Sequence, residues 1–119
     1  SVALSKQVCA KPVARQAWRL RDVAGHWDEL QVRAGIVENG VEVRYQDGQL
    51  SSLRSATDLI AGYTGGMATL PDGTGMSCGT VAVIGAIRPA PAFSMVLHDP
   101  RSGRSISHRY RLDVLPEVA

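Results

Sequence analysis

Gly75-Met76-Ser77-Cys78-Gly79 holds the residues of this 119-residue chain best placed for chemistry. The stretch matches G-x-S-x-G, in which small neighbours let a loop turn sharply and expose a nucleophile beside backbone N–H donors. Ser77 or Cys78 would then serve a small hydrolase, with His26, His98 or His108 as base and Asp28, Asp72 or Asp99 to orient it. The flanks argue the other way. A hydrolase elbow has a strand before it and a helix after it, whereas here a glycine-rich loop precedes and an apolar, strand-like run follows. Ser77 therefore reads as a turn residue.

A phosphate cradle fits worse. A Walker loop needs a lysine to neutralise phosphate, and no lysine follows Lys11. Gly73, Gly75 and Gly79 miss the G-x-G-x-x-G spacing by one residue. No cofactor is expected. The glycines and Pro71-Asp72-Gly73 instead supply turn conformations. Cys78 closes this loop, and Cys9 is the one other cysteine. A Cys9–Cys78 disulfide would close a loop of about 70 residues and stabilise by roughly 4 kcal/mol in the chain-entropy model. It would also imply an extracytoplasmic home, since such bridges persist where the surroundings oxidise.

His98, Asp99 and His108 form a weak metal triad, because the paired spacing of a metal site is missing. The expectation is no metal. Arg101, Arg104, Arg109 and Arg111 are a better binding candidate. Such a cluster can follow a phosphate backbone, making a nucleic-acid module one alternative. A general single-strand binder also wants aromatic platforms beside its charges, and Tyr110 falls on the opposite strand face from Arg109 and Arg111. An acidic protein surface is the other partner these arginines suit.

The elements that must position these residues follow from local patterns. Pro12 can open a helix, and Val13, Ala17, Leu20, Ala24 and Trp27 then share one stripe. Gly25 and charges set against the helix dipole weaken it. Its rival is a pair of short strands around Trp18–Arg21 and Leu30–Ile36. Asn39-Gly40 predicts a type I′ hairpin pairing Glu38 with Val41, Ile36 with Val43 and Ala34 with Tyr45. Asp47-Gly48 predicts a second turn and a three-strand meander over about Gln31–Leu53. Ser55-Ala56-Thr57-Asp58 is a capping pattern for a short helix stopping near Gly62. Thr80–Ile87 is apolar on both parities, as in a strand buried on both faces. A final hairpin turns around Asp99–Gly103, and its last strand, about Arg104–Leu115, is expected at a sheet edge.

Composition bounds the rest. At 45% hydrophobic and 20% charged, the chain reads as one globular domain over residues 1–119. It has no run of about 18 apolar residues, so no helical membrane span is expected. Net charge is +2, with a basic start and an acidic middle. The expected fold is α+β, an N-terminal helix packed on a mostly antiparallel sheet of meander plus C-terminal hairpin. An all-β sandwich or barrel is the alternative. In outline this resembles the exported soluble domains of pilin-like subunits, whose helix packs on a meander. The resemblance implies a non-enzymatic binding or structural assembly module, acting on a protein partner or on copies of itself.

Overall fold

The computed structural model describes residues 1–116. Its first hairpin is the one the turn chemistry dictates. Asn39 and Gly40 take φ values of 51° and 77°, joining β1 (Gln31–Glu38) to β2 (Val41–Gln49). Glu38 faces Val41 and Ile36 faces Val43. Beyond that the register slips: Gly35 faces Arg44 while Ala34 faces Gln46, so Tyr45 is the extra residue of a bulge rather than the partner of Ala34. The bulge sends Tyr45 into a core cluster with Ile36 and Ala90.

Asp47-Gly48 makes no turn, and β2 runs straight through it. The glycine answers a different need there. A Cβ at Gly48 would lie 2.5 Å from Val81 Cγ1, so only a residue without a side chain lets the strap of residues 80–90 cross so close. That strap is the expected Thr80–Ile87 strand in another form. Its backbone meets that of β2 through one bridge, Gln46 to Val83, with the Ile84 N–H donating to the Tyr45 carbonyl at 2.7 Å, and the Gln46 side chain adds bonds to Thr80 Oγ1 and the Val81 carbonyl. Gly85, at φ 83°, then turns the chain away and leaves Ile84 and Ile87 exposed.

The remaining strands come from the C-terminal hairpin. β3 (Ala92–Asp99) pairs with β1, and β4 (Arg104–Arg111) pairs with β3. All pairs are antiparallel, the order is β2-β1-β3-β4, and β4 forms one edge. The register sets the faces. Val32, Leu97 and Ile106 align across three strands, as do Ala34, Met95 and His108. The opposite face aligns Gly35, Ser94 and Arg109.

Three helices complete an α+β fold. The helix expected from Pro12 forms only as α2 (Leu20–Val23), followed by a 3-10 turn over Ala24–Glu29 in which His26 leaves helical geometry at φ −134°. Gly25 lies inside that turn, and no favourable charge steadies the stretch before Leu20. A further helix, α1 (Val2–Val8), is capped by Ser1 Oγ, which accepts from the Leu4 N–H at 3.2 Å, and it buries nothing. α3 (Ala56–Thr64) starts at the predicted cap, Ser55 Oγ accepting from the Asp58 N–H at 3.2 Å. It ends at Gly65, whose φ of 75° closes the helix, rather than at Gly62.

The core divides in two. Val23, Leu30 and Leu50 pack with Trp18, Trp27 and Leu97 at one end of the sheet. Ile36, Tyr45 and Ala90 pack with Val43, Val83 and Phe93 at the other. The whole remains open. Its accessible surface is 9003 Å², against roughly 6,200 Å² for a compact monomer of 12.7 kDa. The radius of gyration, 15.9 Å, likewise exceeds the about 13.5 Å of a compact chain of this length.

Candidate functional site

The glycine-rich loop follows α3. Pro71 accepts from the Thr74 N–H at 3.1 Å, giving the expected turn. Ser77 is exposed and Cys78 half-buried. Among the described residues neither makes a hydrogen bond to a histidine: the His26 ring is bonded to Asp99 and the His98 ring to Ser105. The expected Cys9–Cys78 disulfide is also corrected, because both thiols are free. Cys9 sits at the end of α1, on an arm whose first 17 residues are all exposed, so no packing brings it to the sheet. The argument for an extracytoplasmic home, which rested on the bridge, loses its support.

The histidines and Asp99 are arranged differently from a metal triad. His98 and His108 lie on opposite faces of the sheet, since His98 pairs with Ser105 and His108 with Met95. Among the described residues no group of three or more His, Cys, Asp or Glu side chains could hold a metal ion. Asp99 turns inward instead. It is 1% exposed, and its Oδ1 takes the His26 ring at 3.0 Å and the Arg101 N–H at 2.9 Å. Its Oδ2 accepts from Ser102 Oγ at 2.8 Å. Burial pushes the carboxyl up, but the bonds from His26, from Ser102 and from the Arg101 and Ser102 amides outweigh it and hold the group well below the usual carboxylate range. This knot ties the 3-10 turn to the tip of the β3–β4 hairpin. It also fixes the orientation of the His26 ring.

The four arginines do not converge. Arg101 forms a two-pronged pair with Glu29, at 2.5 and 3.0 Å. Arg109 reaches Glu42 across the polar face at 2.7 Å, and Glu42 also accepts from Ser94 Oγ at 2.7 Å. The Ser94 bond, and then Arg109, lower the Glu42 carboxyl below its ordinary value. Arg104 lays its guanidinium 5.4 Å from the centre of the Trp18 ring and meets Ser102 Oγ, while Arg111 makes no ion pair among the described residues. Two of the four are thus engaged by glutamates of the same chain. Among the described residues no strand pairs with the outer edge of β4, whereas the β2 edge is partly covered by the strap.

One feature escaped the sequence. Between the 14–27 segment and the apolar face of the sheet lies a cleft of about 440 Å³. Trp18, Leu20 and Trp27 face Val32, Leu97 and Ile106 across it, with Met95 and His108 in the next row along the strands. Trp27 Nε1 is buried with no acceptor among the described residues, a donor of a kind that nearly always finds one. The stripe of apolar residues on 13–27 signalled a buried face, but not that the chain would leave space beneath it.

The family model for proteins of unknown function designated DUF2848 matches residues 1–110. No curated protein and no solved structure matches the chain. The chain belongs to the DUF2848 family.

Proposed function

We propose that this DUF2848 protein is a non-enzymatic assembly module, whose open surface is completed by copies of itself. The observation that carries the reading is the surface excess. About 2,800 Å² lies exposed beyond what a compact monomer of this mass would show, more than the roughly 1,000–2,500 Å² that each partner of an obligate interface buries. The excess is apolar in places: Val13 is 91% exposed and Ile87 80%, and Tyr63, Met67 and Val8 are open as well. Isolated exposed apolar residues are ordinary; here they accompany an arm, α1, that packs on nothing. The free β4 edge adds unpaired backbone groups for a neighbouring strand.

Val13→Asp combined with Ile87→Asp tests this reading. Both side chains are exposed in the single chain, so the double variant keeps its circular dichroism spectrum. Its association should weaken at least about tenfold, as expected when charge is placed in an interface core. Equal association of variant and wild type, each correctly folded, counts against the proposal.

A further inference from the structure

Both walls of the cleft belong to this chain: the 14–27 segment on one side, the sheet on the other. Its volume, about 440 Å³, falls in the range of pockets that enclose small organic ligands. The lining is apolar and aromatic, which suits a hydrocarbon or aryl body. Arginines stand beside the lining residues, Arg15 and Arg19 on the 14–27 segment and Arg104 on β4. Arg104 lies over Trp18, a wall residue, and among the described residues it faces no carboxylate. Arg101 and Arg109, by contrast, are each held by a glutamate. A guanidinium steadied on an aromatic face presents a planar fork that matches a carboxylate.

We infer that this cleft binds an amphipathic monocarboxylate, with the apolar body against Trp18, Trp27 and Leu97 and the carboxylate accepting from Arg104. The uncharged alcohol of the same chain length fills the cleft equally well but leaves Arg104 unmatched, so the acid binds more tightly. The inference goes beyond the assembly reading and does not rest on it, because Val13 and Ile87 lie outside the cleft lining.

Trp18 and Trp27 are the chain's two tryptophans, and both line the cleft, so intrinsic fluorescence reports directly on occupancy. Decanoate and 1-decanol, each kept below its aggregation limit, are the probes. Decanoate should shift the emission to shorter wavelength and saturate, with decanol about tenfold weaker. Arg104→Gln, at an exposed position, should remove that preference and leave decanol binding unchanged. Ala17→Phe, which narrows the cleft, should weaken both probes. The Val13→Asp, Ile87→Asp variant should still bind decanoate, which separates failure of this inference from failure of the assembly reading. A decanoate response that is absent, matched by decanol, or unaltered in Arg104→Gln overturns the inference.

Discussion

Asp99 shows how a single residue ties distant parts of the chain together. It is a carboxylate buried almost completely, which is costly unless its lone pairs are met. Here His26, Ser102 and two backbone amides meet them. Sequence reasoning had both groups in view, His26 as a candidate base and Asp99 as a candidate orienter. It could not pair them, because 73 residues separate them and nothing local encodes the contact. The lowered carboxyl has a consequence of fixed sign. In the unfolded chain Asp99 titrates near its ordinary value of about 3.9, and in the fold it stays ionised at lower pH. Its contribution is therefore present in full above about pH 4 and lost as pH falls toward the lowered folded value. Glu29 and Glu42, also lowered, act in the same direction. Chemical denaturation between pH 6 and pH 2 should show wild type losing stability steeply below pH 4 and Asp99→Asn losing it more gradually. Equal slopes would show that the buried carboxylate does not govern acid stability.

At the scale of elements, what was legible depended on how local its cause is. The Asn39-Gly40 hairpin and the Ser55 cap were readable because their geometry is set by adjacent residues. The final hairpin was readable because its alternation is long and its turn residues are clear. Asp47-Gly48 misled for a physical reason: the dipeptide also suits a strand crossed at close range, and Val81 makes that crossing. The apolar run after Cys78 misled similarly, since it crosses β2 as a strap that buries Val81 and Ala90 and stacks Arg88 on Tyr45 at 5.1 Å, leaving Ile84 and Ile87 exposed, rather than entering the sheet as a strand. The first helix failed because Gly25 and unfavourable charges left α2 too short to span the stripe. Gly48→Ala isolates the strap crossing. The added methyl should force Val81 outward and cost about 1–3 kcal/mol, the usual range for overpacking. Urea denaturation measures it. Val81→Ala in the same background should recover part of the loss, whereas a Gly48→Ala protein as stable as wild type would mean that the strap does not press on β2.

For the whole molecule, the balance of surface and core decides the account. Among the described residues ten apolar residues are buried, and six of them form two separate clusters, while an arm, a loop and a sheet edge stand open. Composition gave no warning of this, because 45% hydrophobic residues would suffice for a closed domain; the openness lies in where they are placed. The four arginines, grouped in the sequence as one binding surface, divide in the fold into two held by glutamates and two without a carboxylate partner among the described residues. Among the described residues no helix is long and apolar enough to cross a membrane. Sedimentation equilibrium over a range of concentrations decides whether the chain assembles with copies of itself. A self-assembling protein shows a mass that rises with concentration to at least twice 12.7 kDa. A mass that stays at 12.7 kDa throughout, in a sample whose circular dichroism shows it folded, would contradict self-assembly.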